Sequence, residues 1–347
     1  MKAPNPFVPW DDTNIIGRKE QFKAFEDFLE RVSAGDSRIL LLKGTPGSGK
    51  GMLMRHFQND ALKRKMFAPY IKASKNEKLD RLTKELFQEL ESEVMDKVDS
   101  GTISEGKART FSTQSRSGTL RILINNLWKS FGHSFPGIIF FVDDFDSVTK
   151  NEDVLRHISN IVSEKRNIGF VLSTTRKFRK IPENVEEMNL GPLEEREFRD
   201  YLAKVLKKEP RMGDECTKSV YNDSGGNPKI IKQACWILYD KLKEGEKIIS
   251  KAHYSANMRN IMSFLSRDWF GRLYASASAQ EKIILKILAR ANKPLSVKET
   301  ARQLNKPMGP TATLLLHLKT KGHIVKIQRG KYQIFSGLYA KFIRERG

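Results

Sequence analysis

The chain has 347 residues, of which 39% are hydrophobic and 30% are charged, so it is long enough to form two or three domains with their own cores. Its two cysteines, Cys216 and Cys235, exclude a disulfide framework and a thiolate metal cluster. No stretch has the length and apolarity of a membrane span, and the first ten residues lack a signal peptide's apolar core. We therefore expect a cytoplasmic protein without a membrane partner.

The net charge is strongly positive and unevenly distributed. Lys and Arg outnumber Asp and Glu by 62 to 41, which gives a charge of +21 at neutral pH. Residues 279–347 contain fifteen Lys and Arg against three Glu, so this last fifth of the chain carries more than half of the excess. Such a charge favours a polyanionic partner, most often nucleic acid, although a solvated lysine-rich surface has the same composition.

In chain order, apolar residues at helical spacing predict a helix over residues 20–32, and the apolar run 39–42 predicts a buried strand. A glycine-rich turn follows the strand, and a helical pattern begins at Met52. The turn consists of Gly44, Thr45, Pro46, Gly47, Ser48, Gly49, Lys50 and Gly51. Its spacing is that of a phosphate-binding loop, in which backbone N–H groups, the helix N-terminus and the lysine contact phosphates. We predict that residues 44–52 bind ATP or ADP.

Gly51 departs from the usual pattern of this loop. The residue after the lysine is normally Ser or Thr, whose hydroxyl ligates Mg²⁺. Glycine supplies no hydroxyl. The loop therefore predicts phosphate binding but leaves open whether ATP is hydrolysed or only bound.

A second strand is predicted over residues 67–73 and a long helix over residues 78–98. Residues 99–118 differ in composition, because Gly, Ser and Thr dominate and only Ile103 and Phe111 are large and apolar. A segment of this kind has little apolar surface to bury. We predict a mobile loop over residues 99–118.

An all-apolar run over residues 138–142 ends in two carboxylates, Asp143 and Asp144. A strand buried on both faces that ends in carboxylates near a phosphate loop is typical of nucleotidases. Asp143 would hold Mg²⁺, directly or through water, and Asp144 would orient the attacking water. The alternative is a solvated acidic turn.

Another buried strand is predicted over residues 168–172, and the Ser173-Thr174-Thr175-Arg176 sequence follows it. Ligands of open α/β sheets bind at the carboxyl ends of the strands, so Arg176 is a candidate sensor of the γ-phosphate. The alternative is a surface arginine in the basic stretch 176–180. A short strand over residues 185–190 completes the predicted sheet.

Beyond residue 191 the apolar pattern is helical. Residues 192–250 predict a small lid, in which Asn227 caps a helix that begins at Pro228, and residues 251–278 predict a linking helix. Residues 279–347 predict helices, the last over residues 311–321, and then a hairpin with a basic tip. This order is that of a winged helix-turn-helix.

A winged helix on duplex DNA places its last helix in the major groove and its wing against the backbone. The candidate phosphate contacts are Lys319, Lys321, Lys326, Arg329 and Lys331. The candidate base contacts are Thr311 and Thr313, at the predicted start of the helix. The apolar middle of that helix, residues 314–316, favours a different occupant, a protein partner or a second copy of the chain.

These motifs together resemble the signal-transduction (STAND) branch of the AAA+ ATPases, and in particular archaeal-type members that end in a winged helix. The resemblance includes the phosphate loop, the paired carboxylates, the Ser173–Arg176 strand end, the Gly225-Gly226-Asn227-Pro228 sequence and the early Ile16-Gly17-Arg18. The chain is less closely similar to the archaeal origin-recognition and replication-initiator group. The resemblance implies an α/β P-loop core with a parallel sheet over residues 1–191, followed by the lid, the linking helix and the winged helix.

The resemblance also implies ATP or ADP with Mg²⁺ as cofactors. It places Ile15 and Ile16 near the adenine, Pro228 over the nucleotide, and Arg176 in a sensor role. Lys229 stands where initiator-type relatives usually carry a sensor arginine, which is a second departure after Gly51.

The main hypothesis is a nucleotide switch that hydrolyses ATP slowly and binds duplex DNA. The alternatives are a replication-initiator-like ATPase and a non-enzymatic, ATP-bound scaffold whose winged helix docks a protein.

Overall fold

The computed structural model describes residues 4–8, 15–116, 118–132, 134–207, 210–291, 293–328 and 330–346. The described residues divide into two compact units. The sheet unit comprises residues 19–44 and 50–190. The helical unit comprises the described parts of residues 1–18, 45–49 and 191–347.

The sheet unit contains parallel strands that lie side by side in the order β2, β3, β4, β1, β5. Their bounds are β1 Arg38–Gly44, β2 Tyr70–Lys72, β3 Ile138–Asp143, β4 Ile168–Thr174 and β5 Val185–Leu190. Every residue of β3 and β4 is buried, as expected for strands that are covered on both faces. The predicted α/β class with a parallel sheet is therefore confirmed.

One helix precedes the strands of the sheet unit, and other helices lie between them in the chain. Their bounds are α1 Lys19–Ser33, α2 Lys50–Lys63, α3 Leu79–Asp99, α4 Glu105–Ser115, α5 Leu120–Phe131 and α6 Asn151–Ser163. A short 3₁₀ turn, Phe145–Ser147, follows β3. Buried side chains of α3 to α6 pack with those of the strands in one hydrophobic cluster.

The prediction of a mobile loop over residues 99–118 is wrong, because α4 forms the middle of this segment. Ile103, Ala108 and Phe111 are buried in the hydrophobic cluster of the sheet unit, and the Phe111 ring lies 5.5 Å from that of Phe131 in α5. Packing of an apolar face contributes more to helix stability in proteins than intrinsic propensity does. The few apolar residues of the segment are therefore sufficient to order it.

The helical unit contains mostly helices, with short paired strands. Its elements are α7 Glu195–Val205, β6 Arg211–Met212, α8 Asp214–Ser224, α9 Pro228–Asp240, β7 Ile248–Ile249, α10 Lys251–Ala256, α11 Met258–Leu265, a π-helical turn Ser266–Phe270, α12 Gly271–Ala275, α13 Ala279–Ala291, β8 Leu295–Ser296, α14 Val297–Leu304, α15 Met308–Thr320, β9 Ile324–Gln328, β10 Lys331–Ile334 and α16 Gly337–Glu345. The strands β6 and β7 pair in parallel, and β10 pairs antiparallel with both β8 and β9. Among the described residues, no helix is both long and apolar enough to cross a membrane.

The linking helix predicted over residues 251–278 is not continuous. Asn257 ends α10 with φ of −96° and ψ of 4°, and its side-chain amide donates to the carbonyl of His253. The π-helical turn interrupts the segment again before α12. The lid, the linking segment and the C-terminal part of the chain contribute to one hydrophobic cluster, from Leu193 to Ile343, so their division into separate domains stays a prediction.

Candidate functional site

Asp143, at the end of β3, is held by hydrogen bonds to both carboxylate oxygens. The Ser173 hydroxyl donates to Oδ1 at 2.5 Å, and the Tyr70 hydroxyl donates to Oδ2 at 3.1 Å. The backbone N–H of Asp144 also donates to Oδ1, at 2.9 Å. Tyr70, Asp143 and Ser173 lie on the adjacent strands β2, β3 and β4. Burial, and then the charge of Asp143, raise the pKa of the Tyr70 hydroxyl, so Tyr70 remains a donor.

The two predicted carboxylates have different surroundings. The Asp143 residue is only 7% exposed, whereas the Asp144 side chain is 49% exposed and its Oδ2 lies 3.2 Å from Lys72 Nζ. Asp144 also has a left-handed backbone, with φ of 52°. The turn after β3 thus buries one carboxylate and exposes the next.

Lys50 lies at the start of α2, and its ammonium group donates to the carbonyl of Gly44 at 2.7 Å. Burial lowers the pKa of Lys50, and the charges of Asp143, Asp146 and Asp144 oppose this shift. A buried charged side chain among carboxylates is a candidate for a functional site. The phosphate contact predicted for Lys50 stays a prediction.

Gly51 lies against the carboxylate of Asp143. A Cβ atom at position 51 would come within 2.9 Å of Asp143 Oδ2 and 4.0 Å of the Tyr70 hydroxyl. A Ser or Thr at this position would therefore require the carboxylate to move. The sequence identified the missing hydroxyl but not this contact.

The hydroxyl groups at the end of β4 bind carboxylates of the protein. The Thr174 hydroxyl donates to Asp146 Oδ1 at 2.5 Å, and the Thr175 hydroxyl and N–H donate to Oδ2 at 2.7 and 2.6 Å. The Arg176 side chain is 56% exposed, and its Nε lies 4.0 Å from Asp146 Oδ1. Asp146 was not among the predicted site residues, although its position directly after the paired carboxylates and Phe145 was a signal for it.

Arg18 contacts the backbone of residues 45–49 within the helical unit. Its guanidinium donates to the carbonyl of Ser48 at 3.2 Å and to that of Gly191 at 2.8 Å, and its N–H donates to Glu197 at 2.7 Å. Burial lowers the pKa of Arg18, and the charge of Glu197 opposes the shift. From the sequence, Arg18 could be identified only as part of a resemblance, because contacts with backbone carbonyls cannot be recognised from residue types.

The start of α9 also contacts residues 45–49. The Asn227 side chain caps the helix with its carbonyl oxygen, and its amide donates to the carbonyl of Pro46 at 3.3 Å. The N–H of Lys229 donates to the carbonyl of Gly47 at 3.4 Å. Gly47 has φ of +78°, and a Cβ atom there would lie 2.7 Å from the Trp269 ring. Both the backbone angle and the close contact favour glycine at this position.

A small cavity of the helical unit adjoins these residues. It is lined by Thr45, Ser48, Gly191, Pro192, Gly225, Asn227, Pro228, Val325 and Phe335. The Ser48 hydroxyl is buried, and the described residues provide no hydrogen-bond partner for it. A buried polar atom without a partner is costly and indicates a site for a ligand or water. Pro228 lines the cavity, while Ile15 is half-buried and Ile16 is buried in the hydrophobic cluster. Their contacts with a nucleotide stay predictions.

The predicted DNA contacts have different surroundings. Thr311 is fully buried and its hydroxyl donates to the carbonyl of Pro307, so the base contact predicted for it is wrong in this structure. The helix begins at Met308 rather than at Thr311, and Thr311 is one of its buried residues. Thr313 is exposed.

The lysines predicted to contact DNA phosphates also differ in exposure and in their partners. Lys321 Nζ lies 2.6 Å from the buried carboxylate of Glu281, so it has a structural partner. Lys326 and Lys331 are exposed on β9 and β10, and Lys319 is half-buried. Arg329 lies outside the described residues.

A metal at the end of β3 would have few protein ligands. No group of three or more His, Cys, Asp or Glu side chains that could hold a metal occurs among the described residues. Mg²⁺ at nucleotide sites is usually bound by one or two carboxylates together with phosphates and water. Asp143, with its fixed oxygens, fits such an ion.

The order of the parallel sheet, the loop after β1 and the carboxylates after β3 are consistent with a P-loop AAA+ core. Residues 14–171 match the family described as the AAA ATPase domain. The predicted resemblance to AAA+ ATPases is therefore confirmed. No curated protein matches the chain.

The chain is similar to several solved structures. A Walker-type ATPase of Pyrococcus abyssi is 18% identical, with a TM-score of 0.70, over 98% of this chain and 99% of that chain. A STAND protein of Pyrococcus horikoshii with a tetratricopeptide repeat sensor is 15% identical, with a TM-score of 0.43, over 96% of this chain and 43% of that chain. The ORC1 protein of Aeropyrum pernix, solved in complex with DNA, is 14% identical, with a TM-score of 0.47, over 98% and 95%. At these identities, the first match supports the fold alone.

Proposed function

We propose that this protein is a STAND-type nucleotide switch that binds ATP with Mg²⁺, hydrolyses it slowly and binds duplex DNA through a C-terminal winged helix. The observation that carries the ATP part is the arrangement of Lys50, Gly44 and Asp143 at one end of the sheet. Lys50 bonds to the first residue of the phosphate loop, and the buried Asp143 has both oxygens fixed.

Each residue of this arrangement has a chemical role in the proposal. Lys50 exchanges the carbonyl of Gly44 for phosphate oxygens, which accept stronger, charge-assisted hydrogen bonds. Asp143 holds the magnesium ion, which supplies positive charge against the phosphate oxygens. Asp144 is exposed, and it orients the attacking water once it leaves Lys72. Arg176 extends from its backbone toward solvent and binds the γ-phosphate.

The buried Ser48 hydroxyl supports a ligand next to the loop. It has no hydrogen-bond partner among the described residues, and a phosphate oxygen is a suitable acceptor for it. Arg18 fixes the carbonyl of Ser48 and so limits the conformations of residues 45–49. The adenine contacts of Ile15, Ile16 and Pro228 stay predictions.

The winged-helix assignment is supported by the order of elements. The helices α13, α14 and α15 are followed by the antiparallel strands β9 and β10, which is the order of a winged helix. Lys326 and Lys331 are exposed on these strands, where they would contact DNA phosphates. The charge of residues 279–347 adds a field that attracts a polyanion.

A protein-docking role for the same segment is favoured by one observation. Leu316, in the middle of α15, is 56% exposed, and Met308 is exposed at the start of the helix. A helix that reads bases uses polar side chains at such positions. The exposed apolar side chains of α15 therefore form the surface on which the scaffold alternative would dock a protein.

A salt titration separates the two functions. DNA binding through several phosphates should weaken about tenfold or more over a modest rise in salt, whereas an apolar docking surface should respond little. The Lys326→Ala/Lys331→Ala double variant should weaken DNA binding and reduce the salt slope. The double variant of two exposed sheet-unit lysines, Lys84→Ala/Lys107→Ala, should leave both unchanged.

Turnover is tested on the same preparations. ATP hydrolysis with Mg²⁺ that is stimulated by duplex DNA, and lost in Asp144→Asn, is the result expected of a DNA-linked switch. ATP binding without turnover under any condition would contradict the ATPase and leave an ATP-bound scaffold. Salt-independent DNA affinity, or none, would contradict the DNA-binding part.

A further inference from the structure

Position 51 and Asp143 compete for the same space. In a phosphate loop with Ser or Thr after the lysine, the side chain would begin at the Cβ position that here lies 2.9 Å from Asp143 Oδ2. That distance is shorter than ordinary contacts between nonbonded heavy atoms, so the side chain and this placement of the carboxylate exclude each other. Gly51 therefore removes a hydroxyl and at the same time admits a carboxylate oxygen.

Tyr70 brings a hydroxyl to the same place from β2. Its OH lies 3.1 Å from Asp143 Oδ2 and 4.0 Å from the Cβ position of residue 51. Tyr70 pairs in register with Phe141 and so precedes the level of Asp143 by two residues. Residues paired across adjacent strands share one face of the sheet, as do residues two apart. The long phenol side chain can therefore reach along the strand to the carboxylate.

The Tyr70 ring is itself fixed by α2. The Arg55 guanidinium carbon lies 3.8 Å from the ring centroid, a cation–π contact. Arg55 is four residues after Gly51, so both lie on one face of the helix. One turn of α2 thus provides both the space for the carboxylate and the support for the tyrosine.

We infer that Tyr70 is a positioning residue that compensates for the hydroxyl missing at position 51. Its hydroxyl holds Asp143 Oδ2 beside Gly51, where this carboxylate directly contacts the magnesium ion of bound Mg-ATP. The inference rests on the proposed function, because it concerns the same ATP site. It assigns the direct contact to a carboxylate, where the usual loop has a neutral hydroxyl. The Mg²⁺ dependence of ATP binding then depends on Tyr70 and on the absence of a side chain at position 51.

The test is equilibrium binding of ATP with and without Mg²⁺. In Tyr70→Phe, which keeps the ring over which Arg55 lies, we expect the affinity gained from Mg²⁺ to fall about tenfold, the lower end of the effect of removing a ligand's hydrogen-bond partner. Binding of metal-free ATP should stay unchanged. In Gly51→Ser the gain should fall as well, because the new Cβ displaces Asp143.

A matched control exists in the helical unit. The Tyr254 hydroxyl donates to Asp223 Oδ2 at 2.8 Å, which is the same kind of pair. Tyr254→Phe should leave the effect of Mg²⁺ on ATP affinity unchanged.

A spectroscopic readout tests the direct contact independently of ATP affinity. Mn²⁺ replaces Mg²⁺ in a complex of ATP with protein that carries ¹³C-labelled aspartate carboxylates, and electron–nuclear double resonance detects the coupling of a direct carboxylate ligand. A coupling in the wild type that is lost in Asp143→Asn supports the inference. Its absence in a complex that contains ATP and Mn²⁺ overturns the inference.

The outcomes distinguish this inference from the proposed function. If Gly51→Ser strengthens the Mg²⁺ effect and Tyr70→Phe has none, position 51 is the natural ligand site and the inference is overturned while ATP binding stands. If the wild type binds no ATP with or without Mg²⁺, the proposed function itself is contradicted, and the inference about Tyr70 falls with it.

Discussion

Asp146 Oδ1 accepts a 2.5 Å hydrogen bond from the hydroxyl of Thr174, and Oδ2 of the same carboxylate accepts from Thr175. The turn after β3 and the end of β4 are thereby joined. The hydroxyls of Thr174 and Thr175, at the end of β4, form this connection. Of residues 174–176, it is the Arg176 side chain that extends to solvent.

Removal of the Asp146 carboxylate should lower stability. Asp146→Ala leaves the Thr174 hydroxyl and the Thr175 N–H without their acceptor, and we expect the free energy of unfolding to fall by about 2 to 3 kcal/mol. Urea denaturation measures this change. Asp153→Ala, which removes an exposed carboxylate paired with Arg156, should change it by less than about 0.5 kcal/mol. Equal effects of the two substitutions would contradict a structural role for Asp146.

Truncation of Phe111 tests whether α4 belongs to the core. Phe111 is fully buried, and Phe111→Ala should lower the free energy of unfolding by about 3 to 5 kcal/mol through lost burial and a cavity. Thr110→Ala, at the exposed neighbouring position, should change it little. A negligible effect of Phe111→Ala would restore the mobile loop that the composition predicted.

Arg18 should be important for stability as well as for the loop. Arg18→Ala leaves the carbonyls of Ser48 and Gly191 without this donor, and we expect a loss of about 2 kcal/mol in the free energy of unfolding, together with weaker ATP binding. The exposed Arg196 provides the control Arg196→Ala. If Arg18→Ala behaves like the control in both measurements, the contacts of Arg18 are unimportant.

His323 should make stability depend on pH. It is fully buried, with Nδ1 2.8 Å from the Tyr339 hydroxyl and Nε2 3.2 Å from Ser276 Oγ. Burial, and then the charge of Lys321, lower the pKa of His323 to about 4, against an opposing effect of Glu281. The unfolded histidine has a pKa of about 6.5, so between these values the unfolded chain binds a proton that the folded chain does not.

The contribution of His323 is therefore fully present above pH 6.5 and is lost as the pH falls toward 4. The free energy of unfolding should fall by at most about 1.4 kcal/mol per pH unit in this interval. Urea denaturation at several pH values measures the slope, and His323→Gln should reduce it. An identical slope in the variant would assign the dependence to other groups.

Much of the sheet unit could be predicted because its signals are local. The continuous apolar runs of β3 and β4 reflect burial on both faces, and the glycine spacing of the phosphate loop reflects its backbone requirements. The presence of a parallel sheet and of a loop between β1 and a helix follows from these features.

The features that could not be predicted depend on contacts between residues that are far apart in the sequence. Phe111 becomes buried because α5 packs beside α4, and the composition of residues 99–118 contains no sign of that packing. Arg18 binds carbonyls 30 and 173 residues further along the chain. Thr311 was chosen as a base contact because the middle of the helix is too apolar to read bases, and the packing that buries it cannot be recognised from the local sequence.

Equilibrium ATP binding to the wild type and to Lys50→Ala tests most directly whether the loop at residues 44–52 binds ATP. We expect Lys50→Ala to weaken ATP binding about tenfold to a hundredfold, because a hydrogen bond from a charged donor is lost. Lys63→Ala, an exposed lysine at the end of the same helix, should bind as the wild type does. Equal affinities for wild type and Lys50→Ala, or no binding by the wild type, would contradict the account.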